Sequence, residues 1–132
     1  CPDLKSSVAT LAANPRDVGG RLCLGEFIRL NDLDRDFLDT PPARDELGGQ
    51  GVLFPGRKFS RLGDYRAIIG LAGATADQKA YALYRAVWCF APSGKNGCDD
   101  SEVPVAQRKT WFQMLKRDYP QSRWAQSLEY YW

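Results

Sequence analysis

Thr75-Ala76-Asp77-Gln78-Lys79-Ala80-Tyr81-Ala82-Leu83-Tyr84-Arg85-Ala86-Val87-Trp88-Cys89-Phe90-Ala91-Pro92 is the stretch on which the fold turns. Within it Ala80, Leu83, Tyr84, Val87, Trp88 and Ala91 fall at i, i+3, i+4, i+7, i+8 and i+11, one broad apolar stripe along an α-helix. Thr75 suits the N-cap because its hydroxyl can accept from an unpaired first-turn amide, and Pro92 ends the helix because it has no amide hydrogen. Such a stripe has to be buried against other elements, so the stretch predicts a packed helical domain.

Working outward, the same reasoning finds neighbours on both sides. Pro104 opens a helix with Trp111, Phe112, Leu115 and Tyr119 on its buried side, and Pro120 breaks it. Ser122 caps the next helix, in which Trp124, Ala125, Leu128, Tyr131 and Trp132 carry the stripe to the end. Upstream, Asp64 is the candidate cap of a short helix through Tyr65, Ile68, Ile69 and Leu71, up to Gly73. Pro2, Leu4, Val8 and Leu11 predict a first helix that stops near Ala13, before Asn14-Pro15. After Gly19-Gly20, the residues Cys23, Phe27, Leu30 and Phe37, flanked by Leu24, Ile28 and Leu33, predict a longer helix to about Leu38, ahead of Pro41-Pro42.

Residues 40–63 break this periodicity with Pro41, Pro42, Gly48, Gly49, Gly51, Pro55, Gly56 and Gly63. They read as a long irregular loop, with a short extended piece at Val52-Leu53-Phe54. Long structureless loops are uncommon in compact domains and are often functional. The expectation is an all-α fold of five or six helices arranged as antiparallel helical hairpins in a single domain. It divides into an N-terminal hairpin (1–39), the Gly/Pro-rich loop (40–63) and a second helical part (64–132).

Composition narrows the function classes. The chain has 132 residues, 44% apolar and 26% charged, which is ordinary for a globular domain. Its formal charge of +2 gives no case for nucleic acid, and no apolar run approaches the roughly 18–20 residues of a membrane span. Histidine is absent. That removes the commonest general base, the commonest metal ligand and the usual partner of Ser or Cys nucleophiles. No cofactor is expected, and the chain reads as a non-enzyme.

Cys1, Cys23, Cys89 and Cys98 are too far apart for the short ligand spacings of zinc sites. Of the three possible pairings, Cys1–Cys23 with Cys89–Cys98 is the simplest, and the second closes the turn-rich segment from Pro92 to Gly97. Paired cysteines imply an oxidising compartment, the periplasm or the extracellular space. The first residue is Cys1 and the one methionine is Met114. This fits a leader or lipoprotein peptide cleaved before Cys1 or, the favoured reading, the C-terminal segment of a larger exported protein.

The run Trp111-Phe112-Gln113-Met114-Leu115-Lys116-Arg117-Asp118-Tyr119-Pro120-Gln121-Ser122-Arg123-Trp124-Ala125 resembles the repeat junction of bacterial tetratricopeptide proteins. It looks most like the repeats of periplasmic outer-membrane assembly lipoproteins and cell-division coordinators, whose pattern is an aromatic and a leucine, then Tyr-Pro-x-Ser, then an aromatic and Ala. With the Ala80–Ala91 helix the resemblance covers about a third of the chain, but no second copy follows at a 34-residue period. It implies one repeat-like unit at the end of a helical assembly, closed by Trp132, rather than an array. Ala80-Tyr81-Ala82-Leu83-Tyr84-Arg85-Ala86, the cysteine loop and this ending also look similar to C-terminal regions of proteobacterial envelope proteins.

Other constellations are weaker. Asp32, Asp34 and Asp36 alternate like the first ligands of a calcium loop, but Phe37 stands where Gly is needed and Ala43 where Glu is needed. They read as a solvated acidic helix end. Helical spacing assigns Trp88, Trp111 and Trp124 to the core and leaves Tyr130 and Trp132 free to reach outward. The expected function is a protein-interaction or scaffold module, periplasmic or outer-membrane-associated, holding another polypeptide such as the remainder of its own precursor. Its candidate partner-binding residues are Phe54, Arg57 and Lys58 on the loop and Arg117, Arg123, Tyr130 and Trp132 on the last helices. The alternative is binding of cell-wall glycan (peptidoglycan), or its hydrolysis by carboxylates, through the exposed aromatics and the acidic residues near the loop.

Overall fold

The computed structural model describes residues 1, 3–34, 45, 59–92, 96–99 and 102–132. Among them six α-helices follow in order: α1 (Leu4–Ala13), α2 (Val18–Leu30), α3 (Arg61–Ile69), α4 (Ala76–Trp88), α5 (Val105–Asp118) and α6 (Arg123–Ser127). No strand occurs among the described residues. The fold is all-α, and neighbouring helices pack as hairpins, α1 on α2, α3 on α4 and α4 on α5. The extended piece expected at Val52-Leu53-Phe54 lies outside the described residues.

Local chemistry explains most helix starts. Asp3, Asp17, Ser60, Thr75 and Ser122 each accept a first-turn backbone amide through the side chain. Thr75 also forms a full capping box: its amide donates to Gln78 Oε1 at 2.8 Å while the Gln78 amide donates to Thr75 Oγ1 at 3.3 Å. Pro104 precedes α5 without a side-chain cap, as its fixed φ allows.

Several boundaries differ from the sequence reading, among them the ends of α3, at Ile69 rather than near Gly73, and of α4, at Trp88 rather than at Pro92. α2 begins at Val18, so Gly19 and Gly20 lie inside it; a Cβ on Gly20 would come within 3.0 Å of the Leu11 side chain, and the glycine is what lets α1 approach. α2 also ends at Leu30 rather than near Leu38, because Asn31 turns its side-chain amide back to the Phe27 carbonyl and Asp32 adopts a left-handed φ of 56°. α3 starts at Arg61 with Ser60 as its cap, so the loop ends before residue 63 and Asp64 sits in the first turn, ion-paired with Arg21. α6 stops at Ser127, and Leu128 through Trp132 run on without helix.

The core forms around α4. Ala80, Ala82, Leu83, Ala86 and Val87 are buried there, against Leu62, Tyr65 and Ile68 of α3, Trp111 and Leu115 of α5, and Ala125 and Leu128. Small alanines on α4 let its neighbours come close, and the aliphatic and aromatic side chains then fill the space between them. Trp111 is buried as expected, whereas Trp88 and Trp124 are only partly so. They belong to a chain of rings in which Tyr81 and Tyr84 meet Trp124, Tyr84 meets Trp88, and Trp88 meets Trp132.

One charged side chain is inside this core. The Arg61 guanidinium is 1% exposed and donates to Asp34 through Nε at 2.7 Å and Nη2 at 2.6 Å, and to the Gly97 carbonyl at 3.1 Å. It thereby ties the segment after α2 and the loop that carries Cys98 to α3. Burial opposes its charge, but the Asp34 hydrogen bonds outweigh that and raise its pKa. Asp34 is therefore a structural counterion rather than part of a solvated acidic end. Both expected disulfides are present, Cys1–Cys23 and Cys89–Cys98, each with Cα atoms 5.4 Å apart. They fit an oxidising compartment. No described helix is long and apolar enough to cross a membrane.

Candidate functional site

Three helices border a groove of about 330 Å³. α4 contributes Asp77, Tyr81 and Arg85, which follow at four-residue spacing and so share one face. α2 contributes Leu22 and Glu26 by the same rule, and the Cys1–Cys23 disulfide adds an apolar edge. α6 supplies Arg123 and Trp124, because the Ser122 cap starts a new helix at that point. α6 is short, but Lys116 of α5 donates to the Ala125 carbonyl and holds it in place.

Glu26 is the electrostatic centre of the groove. Its Oε2 accepts from the Tyr81 hydroxyl at 2.6 Å, from Arg29 Nε at 3.0 Å and from Arg85 Nη2 at 3.3 Å. Its Oε1 accepts from Arg29 Nη2 at 2.6 Å. Burial by itself would raise the Glu26 pKa, but the hydrogen bonds from Arg29 and Tyr81 and the charge of Arg85 prevail and bring it down to about 2. Tyr81 is pushed far the other way, first by burial and also by donating to an anion. Arg85 Nε donates to the Tyr81 oxygen at 3.1 Å, which completes a closed set of hydrogen bonds.

Trp124 forms the aromatic wall. Its ring lies 4.7 Å from that of Tyr81 and 5.3 Å from that of Tyr84, and its Nε1 donates to Asp77 Oδ1 at 3.1 Å. The Arg123 guanidinium lies 4.1 Å from the Trp124 ring centre, a cation–π contact. Arg85 lies 5.3 Å and 5.2 Å from the ring centres of Tyr81 and Tyr84. A carboxylate ionised down to about pH 2 has no proton to give at neutral pH, and a phenol with a raised pKa holds its own.

The residues expected to bind a partner are scattered. Arg123 is at the groove. Arg117 is exposed elsewhere on α5 and pairs with Asp118 at 2.6 Å. Tyr130 is exposed as expected, but Trp132 folds back to 5.1 Å from Trp88 and does not reach outward. Trp88 gains its contact with the Trp132 ring from this return of the chain, and its other ring neighbour, Tyr84, is on α4 itself. Phe54, Arg57 and Lys58 lie outside the described residues. Sequence reasoning missed Glu26, Tyr81, Arg85 and Asp77. A signal was available, since Glu26 and Arg85 are charges set among apolar residues on helix faces that have to pack. Comparisons of the sequence with protein-family models, with curated proteins and with solved structures found no match in any of the three.

Proposed function

We propose that this chain is a non-catalytic protein-binding or scaffold module of the bacterial cell envelope, periplasmic or associated with the outer membrane, whose last helices act as a tetratricopeptide-like unit. The observation that carries the reading is the groove between α2, α4 and α6. It is open, walled by Tyr81 and Trp124, and its central carboxylate is locked as a counterion to Arg29 and Arg85. The disulfides support an exported location. A carboxylate hydrolase acting on wall glycan needs a carboxyl group that carries a proton near working pH; in the groove Glu26 is tuned the opposite way, and of the acidic residues near the loop Asp36, Asp39 and Glu46 lie outside the described residues. Sugar stacking on Trp124 finds its ring already in contact with Tyr81, Tyr84 and Arg123.

The test is site-specific photo-cross-linking in envelope extract. A benzophenone side chain at Arg123 is expected to yield a light-dependent adduct with a defined polypeptide, and the same probe at exposed Gln113 of α5 is not. No polypeptide adduct at Arg123, or equal labelling at both positions, would count against a protein-binding groove.

A further inference from the structure

We infer that the groove selects a polypeptide segment that carries a carboxylate beside an apolar side chain, with Arg123 and the unused edge of Arg85 as the groups that receive the carboxylate. The inference rests on the protein-binding reading and adds to it the chemistry of the partner.

The charged side chains that line the groove are two and two, Arg85 and Arg123 against Glu26 and Asp77, and Arg29 from outside the lining also pairs with Glu26. The hydrogen-bond inventory decides where binding capacity is left. Glu26 already accepts from Arg29, Tyr81 and Arg85 and has little left to offer a ligand. Arg85 spends Nε on Tyr81 and Nη2 on Glu26, which leaves Nη1 free among the described residues. The Arg123 side chain makes no hydrogen bond among the described residues and lies over the Trp124 face. Gln78 uses its oxygen on the Thr75 amide and keeps two N–H donors. The free capacity is therefore mostly donor, and mostly cationic, which is what a carboxylate needs.

Asp77 is the opposing element. It fixes Trp124 through Nε1 and leaves one carboxylate oxygen that repels an anion, so an acidic ligand is directed to the Arg85 and Arg123 side. Leu22 and the Cys1–Cys23 disulfide supply apolar contact for the neighbouring side chain. A volume of about 330 Å³ is at the small end of ligand sites, which suits one or two side chains of an extended segment rather than a whole helix.

The experiment uses the oxidised protein and three labelled short peptides, each with a central leucine flanked by aspartate, by asparagine or by lysine, read by fluorescence anisotropy. The aspartate peptide is expected to bind about tenfold more tightly than the asparagine peptide, with lysine weakest. Arg123→Glu should erase that preference, and Arg123→Gln, which keeps the side-chain length, should reduce it to about threefold. Asp77→Asn, whose amide oxygen can still accept from Trp124, should strengthen aspartate binding about threefold. Equal binding of all three peptides, a preference that survives Arg123→Glu, or no binding at all overturns the inference. A polypeptide adduct at Arg123 beside a flat panel removes only the charge preference, whereas loss of the adduct removes the protein-binding reading as well. Sedimentation with purified peptidoglycan that disappears in Arg123→Glu, with no peptide bound, would assign the carboxylate to the wall polymer and also overturn it.

Discussion

α1 and α4 are both capped amphipathic helices, yet they are held in quite different ways. α4 buries Ala80, Ala82, Leu83, Ala86 and Val87, and the core is built around it. The one residue that α1 buries is Ser7, and no side chain of α1 belongs to the core cluster, while Leu4 and Val8 remain 37% and 48% exposed. What fastens α1 is the close approach of Leu11 to Gly20 and the disulfide from Cys1 to Cys23. The contrast teaches that an apolar stripe in a sequence does not say how deeply its helix is buried. In this molecule burial secures one half, and covalent and ionic links secure the other.

The largest test of that contrast is Leu83→Ala. Deleting a fully buried leucine leaves a cavity, and the loss should be about 3–5 kcal/mol in global stability by urea unfolding. Val8→Ala on the exposed face of α1 should stay within about 0.5 kcal/mol; equal effects would erase the distinction.

Removing the first disulfide by Cys1→Ser with Cys23→Ser comes next. With a sequence separation of 22 between the linked positions, the expected loss is about 3 kcal/mol. It should be felt locally, so hydrogen exchange should speed up in α1 while α4 keeps its protection. Uniform loss of protection in both helices would show that the two halves unfold as one.

Glu26 links the halves, and pH reads its part. Its folded pKa of about 2 lies below the ordinary value of 4.5, so the stabilisation is complete above about pH 5 and is lost as pH falls toward 2. Allowing for partial exposure, the change should be about 2 kcal/mol, and Glu26→Gln should flatten the acid limb of the stability curve. A limb of unchanged steepness in the variant would place the acid sensitivity elsewhere. Thr75→Ala should act more weakly than the loss of Glu26. It opens the capping box and should cost about 1 kcal/mol by urea unfolding, with loss of protection confined to the first turn of α4.

The parts of the fold that depend on neighbours in sequence were legible. Thr75, Ser122 and the prolines marked boundaries because caps and missing amides act within a turn. The cysteine pairs were legible because each pairing was the simplest available. What could not be seen depends on distant partners. Leu33 and Phe37 continue the apolar period of α2, but Asp34 is needed by Arg61, which is 27 residues away, and the helix has already ended at Leu30. Asp64 looks like a cap, yet Ser60 takes that role and Asp64 answers Arg21. Leu128 keeps its place in the core without helix, and Trp132 turns to Trp88, because packing accepts any backbone that delivers the side chain. The groove was hidden for the same reason: Glu26, Tyr81 and Arg85 acquire meaning only when α2 is laid beside α4.

The shielding of Cys98 has a kinetic consequence. Thiol–disulfide exchange needs an attacking thiolate to reach a sulfur atom in line. Cys98 is 3% exposed in a loop that Arg61 grips through the Gly97 carbonyl, whereas Cys1 stands open to solvent. A small dithiol will therefore open Cys1–Cys23 sooner than Cys89–Cys98, in which Cys98 is shielded and Cys89 is partly buried. Under mild reductant the protein passes through a one-bond species in which the α1 hairpin is unstapled and the core is still intact.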